Sequence, residues 1–345
     1  MAHEGRIELP RGADPVEGIM RPPQRSVTVD LQAGQEVPVA LCYQPERGGG
    51  FGDAEIAMVT FQLNVDRQVS DDEELDRAVA LAREADAAVV VVGTTEEVES
   101  EGFDRDTLAL PGRQDELVGR VAAVNPRTVV VVNAGAPVLL PWREEVSAVL
   151  LAWFPGQEFG NALADVLLGD AEPGGRLPMT WPAAEHQLIP STRPVDGGLV
   201  YEESVHVGHR AYERAGVEPA FWLGHGLGYT DWEYLDARVV PDGAGGLTVR
   251  ARVRNRGRRA GREVVQVYAS RPDSAVERPS RWLVGFAATE AGPGEEATVD
   301  VAVPARAFAH WDSGSHGWRT EPGTFQLAVG RSASDLPLRS TFTTG

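Results

Sequence analysis

The chain contains no lysine. All 32 of its Lys/Arg residues are arginine, against 51 aspartates and glutamates, and the formal net charge is −19. That acidic balance works against binding to nucleic acid or to an anionic membrane surface. The missing lysine itself points to a bias in coding composition and not to a function. There is a single cysteine, Cys42, so an internal disulfide and a cysteine-rich metal site are both excluded. It reads as a small apolar residue in a strand. The seven histidines are scattered without an H-x-x-x-H spacing, which leaves no histidine-based metal site. No metal and no organic cofactor are expected. Gly174-Gly175-Arg176 lacks the Lys-Ser/Thr continuation of a phosphate loop, and the Gly156/Gly160 pair has no nucleotide fingerprint around it. No apolar run reaches the length of a membrane span. The first twenty residues carry no apolar core of signal-peptide length. The expectation is a soluble, cytoplasmic chain, or a secreted one if the parent protein starts further upstream.

What is present divides into three parts. Residues 1–70 begin irregularly and continue with alternating runs, Ser26-Val27-Thr28-Val29-Asp30-Leu31, then 37–43, then 54–65. Period-2 alternation rich in β-branched residues predicts strands. Residues 71–232 read as α/β. Asp71, Asp72, Glu73 and Glu74 open a helix with the acidic first turn that its dipole favours. A strand over 87–92 follows, then a helix over 114–124, strands over 128–133 and 146–152, and a helix over 157–168 closed by Gly169. Strands this continuously apolar predict a parallel sheet covered on both faces. Residues 171–232 read as a long ordered connection, because Trp181, Tyr201, Tyr212, Phe221, Trp222, Tyr229 and Trp232 are expected to bury. Residues 233–345 switch to short alternating strands, for example 247–253, 263–268, 297–303 and 325–329, separated by turns such as Gly292-Pro293-Gly294. That spacing predicts an all-β sandwich.

The chemistry concentrates in one loop. The strand 87–92 ends at Gly93, and Glu96, Glu97, Glu99, Glu101 and Asp104 follow at once. Open α/β sheets place their chemistry just beyond the carboxyl ends of their strands. Repulsion within such a cluster, with partial burial, raises the pKa of one carboxyl, as a general acid requires. From the charge pattern alone, a solvated acidic loop remains the commoner alternative.

The residues are more specific than the charge. Glu99-Ser100-Glu101-Gly102-Phe103-Asp104-Arg105 and Leu108-Ala109-Leu110-Pro111-Gly112 closely resemble the acid/base loop of family 3 glycoside hydrolases, the β-glucosidase-like group. The resemblance continues in order through Asn133-Ala134-Gly135-Ala136-Pro137, Ala152-Trp153-Phe154-Pro155-Gly156-Gln157-Glu158, Gly174-Gly175-Arg176-Leu177-Pro178, Gly208-His209-Arg210 and Leu223-Gly224-His225-Gly226-Leu227-Gly228-Tyr229-Thr230. It implies an α/β sandwich domain followed by a fibronectin type III-like domain. Residues 25–70 are similar to the tail of a PA14-type β-sandwich. The implied general acid/base is Glu101, with Glu99 its nearest rival. The implied substrate is a β-glycoside.

Retaining glycosidases need a second carboxyl about 5–5.5 Å from the first. In this family it is an Asp on a separate (β/α)₈ barrel. Such a barrel takes about 250 residues, and the chain shows no eightfold repeat. The barrel is therefore expected in cis, outside these 345 residues, or from a partner chain. The chain by itself is expected to be inactive. Two other readings stand beside this one: a non-catalytic carbohydrate-binding or scaffolding remnant of the same fold, and an unrelated α/β domain that binds a small ligand.

Overall fold

The computed structural model describes residues 26–40, 69–187 and 195–345. They fall into two compact units. The first runs to Gly135 and takes in Trp142–Trp153; the second consists of Ala136–Pro141 and Phe154–Gly345.

In the first unit, helix α1 spans Asp71–Glu84. Ser70 caps it: its hydroxyl accepts from the Glu73 amide at 3.3 Å, and the Glu73 carboxylate accepts from the Ser70 amide at 3.2 Å. Two orphan donors of the first turn are thereby satisfied reciprocally. Leu75, Val79 and Ala82 form its buried face. The far end is closed from a distance. The Asn125 amide donates to the carbonyls of Ala82 at 2.9 Å and Ala85 at 3.0 Å, groups that a helix terminus leaves without intrahelical partners. Strand β1 (Ala88–Gly93), helix α2 (Gln114–Ala122), strand β2 (Thr128–Asn133) and strand β3 (Ala148–Leu151) complete the unit. The strands form a parallel sheet in the order β1-β2-β3, with Ala88 opposite Thr128 and Val129 opposite Ala148. Val118 of α2 and Val130, Val131 and Val132 of β2 are fully buried. Arg113 pairs with Asp72 at 2.8 Å and joins the two helices across the surface.

The sheet departs from the sequence reading in one respect. Along β1, Val90 and Val92 are buried, but Val89 and Val91 are 50% and 52% exposed. One face of this strand is covered, not two.

A second correction concerns the start of the chain. Residues 26–40 contain no strand: they are exposed throughout, with a single turn at Ala33-Gly34. Alternation specifies which face a strand would bury, but a strand also needs a partner edge to pair with. The expected later runs, 41–43 and 54–65, lie outside the described residues, and no PA14-like sheet is formed by the part that is described.

In the second unit, α3 (Phe159–Leu168) ends at Gly169 in the left-handed conformation. A short helix, α4 (His209–Ala215), interrupts the connection that follows; it was not anticipated from the sequence. The connection is pinned to itself by backbone bonds, from Trp181 to Phe221 at 2.7 Å and from Leu177 to His225 at 2.8 Å. Trp181, Tyr212 and Trp232 bury as expected, but Tyr201 and Tyr229 remain 71% and 40% exposed.

The rest is a seven-stranded antiparallel sandwich. One sheet has the order β4-β5-β8 (Trp232–Pro241, Leu247–Asn255, Glu296–Val303). The other has the order β12-β11-β6-β7 (Leu338–Thr344, Gly323–Gly330, Gly261–Ser270, Trp282–Ala291). Val249, Val253, Val265, Val267, Phe308, Phe325, Leu327 and Val329 have no exposed surface and fill the space between the sheets. A separate hairpin, β9-β10 (Ala309–Asp312 and Gly317–Thr320), lies beyond Phe308 in the chain.

Candidate active site

The three strands of the parallel sheet deliver their carboxyl ends to one edge, and each carries a distinctive group there. β1 ends at Gly93, where a Cβ would come 2.1 Å from the Asn133 carbonyl oxygen, so only glycine fits. The Thr94 amide then donates to that same carbonyl at 3.0 Å. β2 ends at Asn133, whose side-chain Oδ1 is buried without a hydrogen-bond partner. β3 is followed by Trp153 with φ 55. A left-handed backbone at a bulky residue is strained, and such strain clusters at functional sites.

The acidic loop leaves from β1 and returns at α2. Gln114 closes its neck. The Gln114 amide donates to the carbonyls of Gly93 at 2.9 Å and Pro111 at 3.0 Å, and its oxygen accepts from the Gly93 amide at 2.7 Å. Trp142 braces α2 with a 2.8 Å bond from its indole N–H to Asp115.

Within the loop the carboxylates separate by role. Glu99 is half-buried, and its Oε2 accepts from the Thr94 hydroxyl at 2.5 Å and from the Gly135 amide at 3.3 Å. It ties the loop to the ends of β1 and β2. Ser100 and Phe103 then pair as an antiparallel bridge, with Glu101 and Gly102 at the turn between them. The Gly102 amide donates to the Ser100 hydroxyl at 3.1 Å. Glu101 is thus held on a tight turn with its carboxylate exposed. Glu96, Glu97 and Asp104 are exposed too. The partial burial expected of the general acid is found at Glu99 and not at Glu101.

Other sequence candidates resolve into structural parts. Glu158 precedes α3, where its carboxylate accepts from the Asn161 amide at 3.2 Å and caps no backbone donor. His225 stacks on Phe221 at 4.9 Å, and burial together with the nearby Arg176 charge pushes its pKa down. Arg176 itself forms a buried pair with Glu263 at 3.6 Å. Thr94, Gln114, Asn133 and Trp153 have no role in the sequence reading, although Asn133 and Trp153 stand within its motifs. Gln114 opens a helix and Thr94 follows a strand, so position alone hinted at them; a φ angle leaves no trace in the sequence. Among the described residues no group of three or more His, Cys, Asp or Glu gathers as a metal site would require, and no helix is long and apolar enough to cross a membrane.

Two family descriptions match the chain. Residues 28–229 match the glycosyl hydrolase family 3 C-terminal domain, and residues 263–333 match a fibronectin type III-like domain. The chain belongs to glycosyl hydrolase family 3. It is 39% identical over 321 residues to a β-glucosidase of Rhizobium radiobacter, covering 91% of this chain and 38% of that protein. It is 40% identical over 277 residues to thermostable β-glucosidase B of Acetivibrio thermocellus, covering 79% and 37%. The β-glucosidase DesR from Streptomyces venezuelae, solved in complex with D-glucose, superposes with a TM-score of 0.76 at 40% identity, covering 79% of this chain and 36% of that one. The chain therefore spans less than two fifths of the length of these relatives.

Proposed function

We propose that this chain is the C-terminal region of a retaining exo-β-glycosidase of the β-glucosidase type, and that Glu101 is its general acid/base. In this reading the nucleophile is a carboxylate on a (β/α)₈ barrel that lies in cis or on a partner chain. As that carboxylate attacks the anomeric carbon, the protonated Glu101 gives its proton to the departing glycosidic oxygen. A covalent glycosyl-enzyme forms and the aglycone leaves as an alcohol. Glu101, now ionised, takes a proton from water, whose oxygen displaces the nucleophile and releases the sugar. The domain limits 1–70, 71–232 and 233–345 belong to the same proposal.

One observation carries the choice of Glu101. Glu99 has an oxygen committed to Thr94 and Gly135, whereas Glu101 stands exposed on a turn fixed by the Ser100–Phe103 bridge. Packing against a barrel would supply the burial that Glu101 lacks in this chain alone.

The test is a leaving-group series in the enzyme that includes the barrel. Glu101→Ala should slow substrates with poor leaving groups by about 10²–10⁴-fold, the usual worth of general acid catalysis, and activated aryl glucosides much less. Azide should restore the second step. Near-normal activity in Glu101→Ala, with loss in Glu99→Ala, would move the role to Glu99. The chain without a barrel should show no turnover, and turnover abolished by Glu101→Gln in that chain alone would refute the division of labour.

A further inference from the structure

The β9-β10 hairpin carries a feature that neither the catalytic loop nor the sandwich core requires. Trp311 and Trp318 face each other across the two strands, with ring centroids 5.5 Å apart and planes at 66°. They are 50% and 49% exposed. The Arg306 guanidinium lies over the Trp318 ring, 3.4 Å from its centroid. Ala309 and Thr320 share this face of the hairpin by strand alternation.

The turn of the hairpin is braced by its own side chains. Asp312 accepts from the Ser315 amide at 3.1 Å and the Ser315 hydroxyl at 2.5 Å, and pairs with Arg319 at 3.0 Å. These bonds hold the connecting turn, in which His316 adopts φ 48. The rings themselves are held by the edge contact between them and by Arg306 over Trp318, which lowers the ordering cost for a ligand.

From this geometry we infer that the Trp311–Trp318 face is an accessory binding site for neutral β-linked oligosaccharides. The polarised C–H bonds on one face of a pyranose ring complement the negative face of an indole, and a single indole is about the size of one sugar ring. The Arg306 guanidinium covers one face of Trp318, so the sugar stacks on the indole surface left open, with Arg306 and Thr320 at its border. A neutral ligand escapes the repulsion that a net charge of −19 exerts on anionic polysaccharides. The choice of a β-linked sugar rests on the glycosidase reading above; the platform does not.

The test uses the full 345-residue chain in native gels cast with soluble neutral β-glucan, and tryptophan fluorescence on titration with cellohexaose. Retardation of the wild-type chain is expected, together with a fall of at least about tenfold in affinity in Trp311→Ala and Trp318→Ala. Phe286→Ala, which removes an aromatic 67% exposed elsewhere on the sandwich, should behave as wild type. Glucan retardation should persist in Glu101→Ala, so failure here and failure of the catalytic reading are separable. Several results would overturn the proposal: no retardation by any neutral β-glucan, binding indifferent to both tryptophans, or a preference for an acidic polyuronate. A Trp311→Ala variant that loses thermal stability without any sugar-dependent signal would reduce the pair to a brace for a short hairpin. A shift in light-scattering mass on substitution would make the face a protein interface instead.

Discussion

Strands β1 and β5 bury alternate residues in the same way, yet their sequences could hardly differ more. β5 reads Leu-Thr-Val-Arg-Ala-Arg-Val-Arg-Asn, and its inward positions Leu247, Val249, Ala251 and Val253 are buried. Its outward positions are Thr248, Arg250, Arg252 and Arg254, three of them ion-paired across the sheet surface, as Arg250 is to Asp300 at 2.7 Å. β1 reads Ala-Val-Val-Val-Val-Gly, and its outward positions are Val89 and Val91. The outer side of β5 is composed for water. At the edge of the parallel sheet β1 leaves Val89 and Val91 open, whereas Val131, the partner of Val91 on β2, is fully buried. The exposed positions of the two strands thus differ in kind: charged and ion-paired on β5, apolar on β1.

The sharpest break of that comparison lies in the sandwich core. Phe325 is fully buried, within 5.0 Å of the Phe308 ring and 6.3 Å of the Trp282 ring. Phe325→Ala should cost about 3–5 kcal/mol in denaturant unfolding. A loss below about 1 kcal/mol would mean that the sandwich is not the self-sufficient part.

The next effect is pH-dependent and belongs to α4. Burial pushes the Glu213 carboxyl up to about 7, against the opposing pull of the Arg281 guanidinium 2.6 Å away. Burial, with the Arg210 charge, pushes His209 down to about 4. Arg281 and the edge of the Tyr268 ring also face His209. For Glu213 the folded chain holds the proton that the unfolded chain releases, so its contribution falls as pH rises from the ordinary 4.5 toward 7. For His209 the unfolded chain takes a proton that the folded chain refuses, so its contribution falls as pH drops from the ordinary 6.5 toward 4. Between 4.5 and 6.5 the two slopes oppose each other. Relative to wild type, His209→Gln should therefore lose stability as pH rises through that window, by up to about 1.4 kcal/mol per pH unit, and Glu213→Gln should lose it as pH falls. Urea midpoints taken at half-unit pH steps check the sign; variant curves parallel to wild type would show that neither group titrates differently on folding.

The smallest effect is expected on the open face of β1. Val91→Thr keeps the β-branch and should change stability by under about 0.5 kcal/mol. It should also reduce binding of a hydrophobic dye and association at high concentration, measured by light scattering. A cost of about 2 kcal/mol would show that the face is already covered.

Much of this architecture is readable in the residues. The valine runs place β1 and β2, and Ser70 with its four acids places the start of α1, because each of these signals is satisfied locally. The first alternating runs, 26–31 and 37–40, look equally persuasive and form no strand. Pairing depends on a partner that alternation does not name. The same divide runs through the loop. Its place after β1 and its crowd of carboxylates are visible in sequence, but the separation of Glu99 from Glu101 is not. It depends on Thr94 and Gly135, the latter 36 residues away and brought close only by the parallel register of β1 and β2. α4 escaped notice because seven residues, ended by Gly216, are too short for a clear period.

Gln114 gives the loop a further property. By bonding Gly93 at the point of departure and Pro111 at the point of return, one side-chain amide fixes both ends of the span before any residue between them is specified. The closure of the span is then independent of its contents. Each doubling of a flexible loop adds only about 0.6 kcal/mol of closure entropy, and here the anchoring points stay put whatever the length. The segment between can be lengthened, shortened or exchanged while the sheet beneath keeps its register.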